Sequence, residues 1–443
     1  MRKSDYEQLK QTLRDGLAQS SDVEDREMTC GTLTARLLYL KTLCDPQKVQ
    51  RFLIMPFWEL RSEQEFGNFL LSFPDSSIGV HLSGVTDKLL DGYVAVFLGE
   101  RLYLFEAALQ SSSGVTEANV ETVVQGPQDA LTENLETSLN MLRARYQSPT
   151  LRVEMFTVGK QSKTKIALVY DRERAIEKQI EEIRHKLNTI DTDMLQAAGQ
   201  LEKLLDPRKL HLFPTMLSTE RPDRTVHNIS KGKLALLTDK AGFALITPSI
   251  FSDFFSSMDD LYFQNVVGRF LLTLRYIGLA LTLIMPSLYV VITSYNPEFV
   301  RVQLAFSIAS SRAAVPYPSY LEVLFMLLMM EFLAEASIRL PRAIGPTATT
   351  VGGLILGQAA TEAGLVSNIM IIIVSVVAIS NFVIPINSMS FTIRVVKYPL
   401  LLLSTLFGFF GMMVGLMALA FYVSSITTLG TPYVKLFRKG DKS

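Results

Sequence analysis

Two patterns of apolar and polar positions divide the chain. Up to about residue 265 the apolar residues come in short alternating or amphipathic stretches; beyond it they come in runs long enough to cross a bilayer. In the first part, residues 1–60 read as helices: LKQTLRDGL is amphipathic, Ser21-Asp22 is a plausible cap, and TLTARLLYLKTL has helical periodicity. RFLIMPFWEL is apolar, too short to span and broken by Pro56, so it reads as core or as a docking surface. GYVAVFLGERLYLFEA predicts two strands turning at Gly99-Glu100. GPQDALTENLETSLNMLRARY predicts a turn feeding a helix, with acidic residues in its first turn. LRVEMFTVG and TKIALVYD alternate as strands, and ERAIEKQIEEIRHKLNTI is a charged amphipathic helix. A linker around FPTMLSTERPDRTV precedes a two-strand element, KLALLTDKAGFALITP, that turns at residues 239–242.

In the second part, FLLTLRYIGLALTLIMPSLYVVITS predicts a first span, entered past Arg269 and Arg275 and kinked at Pro286. Residues 301–318 carry Arg301 and Arg312 and read as an interfacial segment. Residues 320–338 predict a second span. TTVGGLILGQAATEAG is rich in small residues, which permits a close helix approach or a re-entrant turn. VSNIMIIIVSVVAISNFVIPI predicts a further span. The last apolar run, about 29 residues, is long for one crossing and short for two at ~20 residues each. Four or five crossings are expected.

The apolar part keeps several charges. Glu322, Glu331, Glu335 and Glu362 stand in or beside predicted spans, where an ionisable residue marks a functional site or a buried pair. Glu331, Glu335 and Arg339 recur at i, i+4, i+8 and share a helix face. Glu335 sits in the favourable order to pair with Arg339, which leaves Glu331 as the pore candidate; Glu322 faces elsewhere or sits at the helix end, and Glu322 and Glu362 are held in reserve. Packing against Arg339 and Arg342 is the structural alternative. Gly352, Gly353 and Gly357 are candidates for a gate or a tight helix interface, and GFFGMMVG offers small-xxx-small contacts.

Charge changes the picture modestly. The 443 residues balance 43 basic against 43 acidic side chains, yet 31 basic and 37 acidic residues precede Val266 while 12 and 6 follow. The basic residues are scattered at segment ends, which excludes a nucleic-acid footprint. Two cysteines, Cys30 and Cys44, make no disulfide framework, and the first residues carry no apolar signal-peptide core. VGKQSKTK is not a phosphate loop, because Glu154 and Gln161 occupy required positions. His81, His185, His211 and His227 have no metal-ligand spacing, and no nucleophile–base constellation is present. No metal, cofactor or enzymatic activity is expected. The fold class expected is an α/β (α+β) N-terminal region of two subdomains, 1–150 and 151–265, followed by an α-helical polytopic membrane domain, 266–434, and a basic tail, 435–443.

Several linked motifs carry a resemblance. They are Thr219-Glu220-Arg221-Pro222-Asp223, Pro316-Tyr317-Pro318 before Glu322, EASIRLPRAIGPTATTVGGLILGQAATEAGLVS, and Gly430-Thr431-Pro432-Tyr433. From about Ser21 to Val434 the chain resembles the GerA spore germination family, whose members include the A subunits of nutrient germinant receptors and the stage V sporulation AF paralogue. It departs from the family's usual residues at Gln125, Ala130-Leu131, Ala144, Ser337 and Pro346. The resemblance implies a multi-pass protein of the spore inner membrane with a cytoplasmic N-terminal domain. It implies self-assembly, contact with membrane lipid, a transporter-like B subunit, a lipoprotein C subunit, and an ion (cation) channel opened by germinants. Arg221 and Asp223 would be a coupling joint before the first span; ordinary turn chemistry at Pro222 is the alternative. A channel paralogue amplifying ion release, a secondary transporter and a non-conducting scaffold are the competing readings.

Overall fold

The computed structural model describes residues 20–435 apart from 32, 61, 75, 79–81, 110–115, 207–211 and 342–343. The amphipathic stretch before Ser20, Arg342 and the tail after Lys435 lie outside the described residues. The chain divides into two compact units: residues 1–209 with 216–249, and residues 210–215 with 250–443.

The first unit holds two antiparallel five-stranded sheets. β1 (Val23–Cys30), β2 (Leu33–Leu40), β3 (Ser77–Ile78), β4 (Tyr93–Leu98) and β5 (Arg101–Glu106) form the first, in the order β1-β2-β4-β5-β3. The expected helix over TLTARLLYLKTL is therefore a strand. Cys30 pairs with Leu33 across a two-residue turn that opens on Gly31 at φ +61°, and Leu38 pairs onward with Ala95. Leu and Ala suit a helix in isolation, but both faces of β2 are buried between neighbouring layers, and that context overrides propensity. Leu33, Ala35 and Leu37 meet Leu53, Phe57, Phe66 and Leu70 on one face. These come from a helical segment at 46–59 and from α1 (Glu63–Leu71), which Ser62 caps. On the other face Leu38 meets Val85 and Leu89 of α2 (Leu82–Leu90). RFLIMPFWEL thus sends Leu53, Ile54 and Phe57 into the core and leaves Met55 and Trp58 exposed.

After a short ribbon of β6 (Thr116–Glu117) and β7 (Asp129–Ala130), α3 (Leu135–Arg145) begins at Asn134, whose side chain accepts from two backbone N–H groups. The second sheet comprises β8 (Leu151–Val158), β9 (Thr164–Asp171), β10 (Leu217–Thr219), β11 (Leu234–Thr238) and β12 (Ala244–Thr247), ordered β10-β12-β11-β9-β8. α3 lays Leu135, Leu139 and Leu142 on one face, beside Ile229 of α6 (Pro222–Ile229). Each such leucine is worth about 2 kcal/mol of apolar burial. α4 (Glu177–Thr189) buries Ile180, Ile183 and Leu187, and α5 (Ala198–Leu205) follows it.

Buried polar contacts tie the start of the first sheet to the second. Arg143, 1% exposed, donates to both carboxylate oxygens of Asp22 at 2.8 and 2.9 Å. Thr42 and Ser20 also donate to that carboxylate, Asn140 donates to the Thr42 carbonyl, and Ser20 receives the Val153 N–H. Asp22 is thus no helix cap. Burial pushes its carboxyl up, but the Arg143 charge and the three donors outweigh burial and hold it below the ordinary aspartate value.

The second unit is helical. α7 (Asn265–Ser294) and α12 (Asn387–Ser425) are long and apolar enough to cross a membrane; α8 (Val302–Arg312), α9 (Ser319–Arg339), α10 (Gly345–Glu362) and α11 (Asn368–Phe382) lie between them. α12 folds back on itself at Gly408 (φ +59°, ψ −139°), a region closed to side-chain-bearing residues. Its two arms run antiparallel. A Cβ at Gly411 would stand 2.0 Å from the Leu403 carbonyl, and Gly415 abuts Leu400. The small residues of GFFGMMVG therefore pack arm on arm within one chain.

Both outer ends of α12 reach one collar. Thr392 donates to the Leu212 carbonyl and Tyr422 receives the Leu212 N–H. Phe213 packs on Phe251 and Tyr422, and the fully buried Tyr433 donates to the Pro214 carbonyl. That role accounts for Gly430-Thr431-Pro432-Tyr433: β13 (Thr427–Thr428) and β14 (Thr431–Pro432) turn the chain at Gly430, φ +72°, and seat Tyr433. α7 starts at the collar, where Arg275 reaches Asp260 at 2.5 Å, and ends beside Gly408, where Tyr295 donates to the Thr405 carbonyl. α9 starts at that far end through Ser294–Ser319, α10 begins beside Ser337, and α11 returns so that Ser380 abuts Gly278. α7, α9, α10, α11 and the two arms thus alternate in direction, and the 29-residue run is part of a helical hairpin.

Candidate functional site

The charged residues of α9 go to three different environments. Glu322, 1% exposed, sits where α7, α9 and α11 meet. One of its oxygens accepts from the Ser367 N–H and hydroxyl, both at 2.7 Å; the other accepts from Tyr289 at 3.2 Å and lies 3.3 Å from Arg312 Nε. Ser367 is also the cap of α11. Glu322 is therefore fully engaged where these three helices meet.

Glu331 is not the free carboxylate expected from its spacing. Arg394 grips Oε2 through Nε at 2.7 Å and through Nη2, and Lys397 Nζ donates to Oε1 at 2.9 Å. These cations lie 63 and 66 residues further along, on the first arm of α12, so helix periodicity within α9 could not find them. Each stood in the sequence as a lone cation flanked by apolar residues, the same signal that had singled out the glutamates.

Glu335 and Arg339 meet at 2.7 Å on the exposed side of α9, their side chains 56% and 76% exposed. On α10, Gln358 donates to Glu362 at 2.9 Å, also in the open. These polar groups stand among exposed apolar residues: Phe332 and Ile338 on α9, Val351, Leu354 and Ile355 on α10. Gly352, Gly353 and Gly357 do not mark the closest helix approach. A Cβ on any of them would meet Leu333 or Ile371 at 3.5–3.9 Å, ordinary contact. Tighter approaches occur at Gly268, Gly278, Gly411 and Gly415.

A cavity of about 480 Å³ opens beside Glu331 among α9, α10, α11 and the first arm of α12. Arg394, Lys397, Asn381, Ser390 and Ser337 give it a polar lining, and Leu327, Val374 and Val377 an apolar one. No group of three or more metal-ligating side chains occurs among the described residues.

Arg221 and Asp223 lie in the first unit, and not in a linker: Thr219 ends β10 and Arg221 caps α6. Arg221, 1% exposed, binds both oxygens of Asp223 at 3.0 and 2.6 Å and donates to the carbonyls of Glu121 and Pro127. Arg224 reaches Glu121 at 2.9 Å, and Glu220 receives the N–H groups of Val120 and Glu121. The motif therefore clamps the irregular stretch from Ala118 to Leu131 onto the end of the second sheet. The sequence motif holds Glu220, Arg221 and Asp223 of the clamp; Glu121 and Arg224 carried no signal in the sequence, and only the fold brings them in.

Comparison with known proteins completes the picture. The family described as Bacillus/Clostridium GerA spore germination protein matches residues 9–442. The chain belongs to this family. Among its relatives is Spore germination protein GerLA of Bacillus cereus, 32% identical over 446 residues, covering 97% of this chain and 89% of the relative. Spore germination protein KA of Bacillus subtilis (strain 168) is 32% identical over 430 residues, covering 94% and 78%. The solved N-terminal domain of the A subunit of the Bacillus megaterium spore germinant receptor GerK3 is similar to 54% of this chain over 93% of its own length, at 24% identity and a TM-score of 0.42. In this GerA-family chain the candidate site comprises two polar constellations: the Arg221 clamp in the first unit and the Glu331 triad with its cavity in the second.

Proposed function

We propose that this protein acts as a germinant-receptor A subunit of the spore inner membrane, and that it self-assembles to form or gate an ion path. Six helical arms that alternate in direction would cross the bilayer. The first unit would lie in the cytoplasm, and a transporter-like B subunit and a lipoprotein C subunit would complete the receptor. One observation carries this reading. α9 and α10 expose Glu335, Arg339, Gln358 and Glu362 on faces that are otherwise apolar, and hydrocarbon is a costly neighbour for such groups. Copies of the chain arranged around an axis would turn these faces toward each other and toward water. Glu335 and Glu362 then replace Glu331 as the carboxylates able to ring a path that favours cations. In this scheme the Arg221 clamp passes a rearrangement of the first unit along the chain to the helices.

The test is reconstitution of the purified full-length chain, with its oligomeric mass and cation flux measured together. Glu335→Gln and Glu362→Gln are expected to lower cation flux several-fold while the mass is unchanged. A monomer, or an assembly whose flux is indifferent to both substitutions, removes the acidic-path reading.

A further inference from the structure

The cavity beside Glu331 carries a charge that its own lining does not balance. Glu331 is the one carboxylate among the described lining residues, and it faces two cations, Arg394 and Lys397. The surplus is a single positive charge. Arg394 spends Nε and Nη2 on Glu331, and Lys397 spends one of its three N–H donors; neither makes a further hydrogen bond to the described residues. Lys397 lies ten residues from each end of the first α12 arm, 387–407, about 15 Å from either end. An unbalanced cation at that depth is costly unless water or an anion reaches it.

The cavity supplies the access. It extends from the triad toward the collar end of the arm, where Asn381 donates to Ser390 at 2.9 Å. The buried Oδ1 of Asn381 has no hydrogen-bond partner among the described residues. The exposed apolar side chains of the lining are Ile338, Phe382 and Phe391. One positive charge matches a monovalent anion better than a divalent one. A bare halide would leave these side chains facing empty space. A lipid phosphate would have to descend about 15 Å into the bundle to reach Lys397.

We infer that this cavity binds a small organic monocarboxylate, with its carboxylate on Arg394 and Lys397 and its short apolar body against the exposed apolar lining of Ile338, Phe382 and Phe391. Binding here is independent of whether the assembly conducts ions. The anion closes the charge balance of the triad and draws α9, α11 and α12 onto one ligand, so it stabilises the helical unit by mass action.

The experiment uses the purified full-length protein in lipid-free detergent, with propionate as probe and thermal stability and calorimetric titration as readouts. Propionate is expected to bind saturably and raise Tm, whereas its neutral isostere propionamide, and chloride at equal ionic strength, do not. Lys397→Gln removes the surplus charge and is expected to weaken propionate binding at least tenfold. Ala378→Phe fills the cavity without touching any charge and is expected to weaken it comparably. Equal responses to propionate, propionamide and chloride would overturn the proposal. So would an Ala378→Phe variant that binds as the parent does, or a stabilisation given by phosphatidylglycerol vesicles and not by propionate.

Discussion

The buried arginines of the first unit and the Glu331 triad of the second treat charge in different ways. In the first, Arg143 closes on Asp22 and Arg221 on Asp223 with two hydrogen bonds each, and neighbouring hydroxyls and carbonyls take up further capacity. In the second, two cations share Glu331 beside a cavity, and two more polar pairs stand in the open. A closed pair holds elements in place, and breaking it leaves a charge with nowhere to go. An open triad stays accessible to a ligand or a solvated path.

The closed pairs should show the largest effects. Arg143→Met leaves Asp22 buried without its cation and is expected to cost about 3–5 kcal/mol. Hydrogen exchange would show it as lost protection in β1 and β8. Arg221→Met should cost a similar amount and loosen residues 118–131 first; the clamp therefore cannot be removed without cost to the fold, and a germination defect in that variant must be read beside its stability. Full protection in both variants would erase the distinction between the units.

Gly408→Ala comes next. It forces a side chain into a glycine-only conformation, with its Cβ 3.0 Å from the Tyr295 ring, and should cost about 1–3 kcal/mol, read as a lower thermal midpoint of the helical unit. Within the second unit the ranking of the two carboxylates is the sharpest test. Glu331→Gln leaves Arg394 and Lys397 facing each other and should cost about 2–3 kcal/mol, less than a fully buried pair because the site is partly open. Glu335→Gln breaks an exposed i,i+4 pair and should stay under about 0.5 kcal/mol. Thermal unfolding of the two variants in parallel checks the order.

The smallest effect at neutral pH, and the most specific, concerns acid. The Asp22 carboxyl is held below its ordinary value of 3.8, so its contribution is complete above that value and is lost as pH falls through the lower folded value. Exchange protection of β1 and β8 should fall away below about pH 4, and Asp22→Asn should flatten that dependence. An unchanged acid profile in the variant would assign the loss to other carboxylates.

Much of the local structure was legible along the chain. The apolar lengths of α7 and α12, the alternation of β8 and β9 and the turn at residues 239–242 rest on neighbours close in sequence, where periodicity and turn chemistry act directly. β2 was not legible, because its leucines satisfy a helical spacing as well as a strand, and only pairing with β1 and β4 decides between them. Of the candidate site, the unusual charges were legible as a set, since charge in an apolar run is visible in the residues themselves. Their partners were not.

What the sequence by itself determined is the division into a polar, alternating part and an apolar, helical part, together with the residue types that have to be reconciled inside the latter. Only the tertiary structure decided which of them meet. Glu331 passes over its own helix for cations more than sixty residues away, Glu335 keeps Arg339, and the 29-residue run turns back at one glycine. The reason is physical: helix geometry fixes which side chains share a face within about two turns, whereas an ion pair forms wherever packing brings charges together and excludes water. That information belongs to the packed bundle.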